Sequence, residues 1–147
     1  MSRTALARLY VAIAVLALIA TWRQNIGFLL EGDRGFFGGL LDFWPALLAN
    51  RATTSITVDI FLFALAAVVW MVGEARRLKI RLVWVYVLLS FAIAISVTFP
   101  LFLAAREHRL ADLDPTDGPV RFSASDLLGF LVVGGSVVVF SLYSIVR

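Results

Sequence analysis

Residues 55–77 read SITVDIFLFALAAVVWMVGEARR, and the fold turns on whether this run crosses lipid or fills a soluble core. From Ile56 to Gly73 the run has one charge, Asp59. That is about the length a helix needs to cross a hydrocarbon layer of roughly 30 Å. The rest of the chain decides between the two readings. It is 61% hydrophobic and 16% charged over 147 residues. Soluble domains average about 45–50% apolar and about 25% charged. This chain has too little polar surface to cover a water-facing domain, so the membrane class follows.

Three more segments have the same character: Ala5 to Trp22, Leu82 to Ala105 and Leu127 to Val146. In lipid each must satisfy its backbone groups internally, which selects helices. The strand alternation of a transmembrane barrel is absent. Arg3 and Arg8 before LYVAIAVLALIA imitate a signal peptide, but Leu18 stands where a cleavage site wants a small residue, so the segment reads as a retained helix. The sequence therefore predicts an all-α integral membrane bundle of four transmembrane helices in a single domain, residues 1–147.

Arg76, Arg77, Lys79 and Arg81 crowd the short loop after the second span, and Arg3 and Arg8 flank the first. Basic residues collect on the cytoplasmic side, so this loop and both termini are expected in the cytoplasm of a cell that holds the chain in its inner membrane. The basic charge is thereby accounted for without nucleic acid. Residues 34–50, RGFFGGLLDFWPALLAN, space their apolar residues near helical period, while Gly38, Gly39 and Pro45 argue against one continuous helix. A broken amphipathic segment lying in the outer interface is expected. Residues 106–125 carry turn chemistry at DPTDGP and are expected as an exposed outer loop; Ser123 and Asp126 then form a capping-box-like start for the last span.

Chemistry-bearing residues are few. With no Cys and one His, a transition-metal set cannot be assembled, and His108 reads as a solvated loop residue. Asp112, Asp114 and Asp117 lack the downstream Glu of a calcium loop. No nucleophile stands beside a base, so neither an enzyme nor a cofactor is expected. Asp59 has two readings. Near a helix start it suits the dipole, with Thr53, Thr54 and Ser55 as caps. Alternatively it centres a polar cluster of Asp59, Thr57, Ser96, Thr98, Gln24 and Asn25 at one depth, serving as interhelical glue or as a ligand site. Pro100 adds to that cluster by freeing the carbonyl four residues earlier, at Ser96. Glu74, Arg76 and Arg77 close the second span, with Glu74 able to meet Arg77 one turn on or the arginines to meet anionic headgroups. The four tryptophans, Trp22, Trp44, Trp70 and Trp84, read as interface anchors.

The Asp in the second span, EARRL at its end and FPLFLAAREHRL at the close of the third resemble a family of small bacterial integral membrane proteins catalogued as a domain of unknown function. The resemblance covers about residues 5–110. It implies a three-helix unit over 1–110, followed by a polar loop at 111–124 and an added transmembrane helix at 125–147. It carries no activity. The functional expectation is a non-enzymatic accessory or assembly subunit of a larger membrane complex, with the lipid bilayer and another membrane protein as partners. The alternative is a binder or carrier of a lipid or small hydrophobic ligand around Asp59.

Overall fold

The computed structural model describes residues 1–31, 35–114, 118 and 120–146, and every regular element among them is helical. In chain order these are α1 (Arg3–Glu31), α2 (Gly35–Ala46), α3 (Arg51–Leu78), α4 (Val83–Ala92), α5 (Ile95–Leu113) and α6 (Ala124–Val146). Three of them, α1, α3 and α6, are long and apolar enough to cross a membrane, with mean hydropathies of 2.0, 2.3 and 2.1 over their most apolar stretches. Most of the turn expected at DPTDGP lies outside the described residues.

The third expected span is not one helix. Residues 82–105 break at Ile93–Ala94, and α4, with 10 residues, is about 15 Å long, half a bilayer core. Its partner α5 runs back along it: Tyr86 stacks edge-on against Phe102, and the Ser90 and Thr98 hydroxyls share a hydrogen bond. A reversal at this depth is tolerated where its backbone groups find partners, and several here do. Ile93 N donates to Leu89 O at 2.8 Å, and Ile93 O accepts the Trp22 indole N–H at 3.3 Å. Ala94 O accepts from Val97 N, Thr98 N and Thr98 Oγ1, each at 3.2 Å. At the other end, α3 and α4 are joined through Lys79 and Leu82, both in the left-handed region at φ of 54° and 62°. Such non-glycine residues cost of order 1–3 kcal/mol each. Arg109 Nε steadies this turn by donating to Leu78 O at 3.0 Å.

Because the hairpin returns, α5 ends where α3 ends and α1 begins. One ionic chain ties the three helices there. Arg3 reaches the Glu107 carboxylate at 2.9 Å, Arg106 bridges Glu107 and Glu74 at 2.6 Å each, and Glu74 holds Arg77. Glu107 is only 3% exposed. The Arg106 guanidinium also lies 5.8 Å from the Trp70 ring centroid, within cation–π range. The expected Glu74–Arg77 contact is present, at 2.8 and 2.6 Å. Arg106, which a crossing third span would have carried to the far side, stands beside it.

This path changes two further expectations. Residues 106–113, expected in an outer loop, are the last turns of α5, at the basic end. And α6 starts at that same end, where the Met1 amino group donates to Val120 O, then runs alongside α1 until Gln24 Nε2 meets Ser144 O at 2.6 Å. Arg3 and Val146 therefore lie at opposite ends of the bundle, not on one face. The capping box that starts α6 is as expected: Ser123 N donates to Asp126 Oδ2 and Asp126 N to Ser123 Oγ, at 2.8 and 3.2 Å.

Packing follows small residues. Ala7 and Ala14, two turns apart on α1, are buried, as is Ala104 on α5. Among the described residues the α1–α5 contact is the most extensive, and α1 and α3 do not pack on each other. Thus α5 is a wedge between them. α2 runs as one helix through Gly38 and Gly39, where the sequence suggested a break. The reason is close approach, because a Cβ on Gly39 would stand 2.7 Å from Leu29 O. Phe43 then stacks against Phe28, 5.6 Å between ring centroids.

The buried carboxylate gives the first prediction. Replacing Glu107 with Ala leaves Arg3 and Arg106 without their shared partner, a change worth about 3–5 kcal/mol for buried ion pairs. The thermal unfolding midpoint in detergent should fall clearly below wild type, and an unchanged midpoint would show that the chain of ion pairs does not hold the helices together.

Candidate functional site

Where the wedge stops, a space opens. α5 begins at Ile95, and beyond it α1 and α3 continue apart with α2 laid across the end of α1. Between them is a cavity of about 780 Å³, within the usual range for small-molecule sites. Its walls are Trp22 and Asn25 from α1, Phe43 and Trp44 from α2, Asp59 and Phe63 from α3, and Ser96 and Phe99 from α5. The hairpin apex, Ala92 to Ile95, forms its floor.

Asp59 reaches this wall because α3 starts earlier than the apolar run suggests. Asn50 is the N-cap: its Oδ1 accepts from Ala52 N and Thr53 N at 2.9 and 3.0 Å, and Asn50 N returns a bond to Thr53 Oγ1. The cap is therefore Asn50 and not Asp59 or its neighbours. Asp59 lies about 12 Å into the helix, too deep for the first-turn role that the sequence allowed. It is exposed to the cavity side, and among the described residues no side chain donates a hydrogen bond to it.

The six-residue polar cluster divides three ways. Asp59, Thr57, Asn25 and Ser96 line the cavity. Thr57 Oγ1 is spoken for, donating to Leu47 O at 3.3 Å. Thr98 is 1% exposed and belongs to the hairpin, bonded to Ser90 and Ala94. Gln24 points the other way, to Ser144 Oγ and O on α6. Pro100 is buried on the cavity wall, and its missing N–H leaves the Ser96 carbonyl without its helical donor. That adds one backbone acceptor beside the Ser96 hydroxyl.

Two properties define what the site can do. It is apolar and aromatic: Trp22, Phe43, Trp44, Phe61, Phe63, Phe91 and Phe99 all face it. And among the described residues its one charged side chain is acidic, with no Arg, Lys or His on its walls. Among the described residues no three His, Cys, Asp or Glu side chains converge as a metal set. Glu74 and Arg77 are joined in the ionic chain at the opposite end, while Arg76 is exposed there with Lys79 and Arg81.

Sequence reading missed the floor of this site. Trp22 was expected at an interface but sits well inside α1, and its indole holds the apex carbonyl. The usable signals were Ser90 and Thr98, two hydroxyls eight residues apart in an apolar run, and the run of charges at Arg106–Arg109 that marks a return to the basic end.

No curated protein and no solved structure matches the chain. A family model described as "Protein of unknown function DUF2834" matches residues 9–108, from the second turn of α1 through most of α5, and leaves α6 outside. The ionic chain from Glu74 to Glu107, the hairpin and every wall of the cavity fall within the matched residues, so the chain belongs to this family of unknown function by the part that builds the site.

Proposed function

We propose that this protein is a multi-pass bacterial inner-membrane protein that binds a small hydrophobic or amphiphilic molecule in the cavity between α1, α2, α3 and the apex of the α4–α5 hairpin. The single observation that carries this reading is the cavity itself. The space is a cleft open on one side, walled by four helices, and clefts of this size are where small molecules bind. Here α5 holds α1 and α3 apart, and none of the described residues fills the gap beyond it. Apolar walls with a few polar groups at one place are the composition of a ligand site.

The basic end faces the cytoplasm in this reading. Arg3, Arg8, Arg76, Arg77, Lys79 and Arg81 gather there, joined by Arg106 and Arg109 once the hairpin brings them back. The cavity then opens toward the outer half of the bilayer, and α6 ends on the outer side. The chain has no native Cys, so single cysteines report sides directly. In inverted and right-side-out vesicles, cysteines at His108 and Lys79 should react with an impermeant maleimide from the same side, and a cysteine at Ser144 from the other. Labelling of positions 79 and 108 from opposite sides would restore a crossing third span.

The cavity is tested with a neutral apolar fluorophore such as N-phenylnaphthylamine and the purified chain in nanodiscs. Binding above that of empty discs is expected. Ala92→Phe and Ser96→Phe, which place rings on the floor and wall from exposed positions, should each weaken it about tenfold with little change in the unfolding midpoint. Equal binding to all three proteins and to empty discs would remove the site.

A second reading, an accessory subunit of a larger membrane complex, is favoured by α6. None of its described residues is buried, and it packs on α1 alone. Purification in mild detergent should then yield one membrane protein in fixed proportion, released by substitutions on α6; its absence would leave α6 facing lipid.

A further inference from the structure

We propose that the cavity is selective for a lipophilic organic cation, such as an ammonium or phosphonium centre carrying apolar groups, with its charge held against Asp59. This rests on the ligand-site reading above and names the class of ligand. The first argument is charge complementarity. Among the described residues Asp59 is the one charged side chain on the walls, and no basic residue shares them. A carboxylate at the centre of a span costs about 2.5–3.5 kcal/mol on insertion scales. Asp59 is shallower than that but lies about 22 Å from Glu74, on the apolar stretch of α3. Among the described residues it has no hydrogen-bond donor and no counter-charge to offset that cost. Arg51, at the start of α3, is exposed and off the cavity wall, and the ion-paired cations of α3 and α5 lie at the other end of the bundle, where Arg106 and Arg77 hold Glu74. A ligand that brings its own positive charge supplies what the walls lack.

The second argument is the ring content. Aromatic faces attract cations, best when the cation is desolvated, and clusters of rings are how proteins recognise ammonium groups. Trp22, Trp44, Phe63 and Phe99 stand on the same walls as Asp59. The polar groups near it, the Asn25 amide, the Ser96 hydroxyl and the carbonyl freed by Pro100, can all present oxygen acceptors. An anionic head would meet the Asp59 carboxylate and be repelled. A neutral apolar body alone would bind the rings but leave Asp59 unpaired.

The test uses two ions of one shape and opposite charge, tetraphenylphosphonium and tetraphenylborate, with the full-length protein in uncharged nanodiscs. Binding is read by displacement of the neutral fluorophore, with empty discs subtracted. The wild type should prefer the phosphonium by at least about tenfold. Asp59→Asn should keep the fluorophore and reduce the preference to about twofold or less, while Glu74→Gln, at the far end, should keep the preference. Equal displacement by both ions in the wild type, or an undiminished preference in Asp59→Asn, would overturn the cation assignment while the fluorophore still reports a cavity. Failure of the fluorophore itself to bind would remove the cavity reading and this inference with it.

Discussion

The structure depends on one buried carboxylate. Glu107 accepts Arg3 on one oxygen and Arg106 on the other, and Arg106 passes the connection to Glu74 and so to Arg77. Each member is thus shared between two helices or held by a neighbour, and the chain crosses from α1 through α5 to α3. Removing charges from water is costly, and such a cluster persists only when its hydrogen bonds are well satisfied. Here geometry supplies them: planar guanidinium forks meet carboxylates at 2.6–2.9 Å, and Trp70 covers the face of Arg106. The cluster fixes the register of three helices that otherwise meet through small or apolar contacts, which specify position weakly.

From that fixed end the cavity follows as geometry. α5 cannot leave the gap between α1 and α3 while its end is tied to both. It begins only where the hairpin apex ends, and the apex is held at its depth by hydroxyls and an indole: Ser90 to Thr98, Thr98 to Ala94, Trp22 to Ile93. Everything beyond is unfilled by any helix. The floor of the site is therefore a backbone reversal whose Ile93 and Ala94 carbonyls are already bonded, while the wall across from it carries Asp59, which among the described residues has no side-chain partner.

How much of this was legible in the residues depended on whether the signal was local. The apolar runs of α1, α3 and α6 are long enough that composition alone identifies them, and the pairs Glu74–Arg77 and Ser123–Asp126 lie within one helical turn. The membrane character and the placing of Asp59 among Thr57, Asn25 and Ser96 came from the same kind of reading. What failed was long-range. Residues 82–105 carry no charge, and neither Gly nor Pro marks the reversal at Ile93–Ala94. Its cause is distributed over Trp22, Ser90, Thr98 and the tether at Glu107, none of which is next to it in sequence. The wrong side for Arg106, and for the far end of α6, followed from that one miss. Gly39 misled for a related reason, since the backbone it lies against belongs to Leu29 and no local pattern announces it.

The half-depth hairpin also changes the parity of the chain. Three helices traverse the bundle from end to end while α4 and α5 return, so the path enters beside Arg3 and leaves beside Ser144 at the opposite pole. A second unit continuing directly from Val146 would have to be threaded upside down with respect to the first. With the three long helices crossing lipid as proposed, duplication of such a unit in one polypeptide would build a two-fold axis lying in the plane of the sheet of lipid, with the two aromatic chambers opening in opposite directions, whereas a unit with an even number of passes would merely be repeated in the same sense.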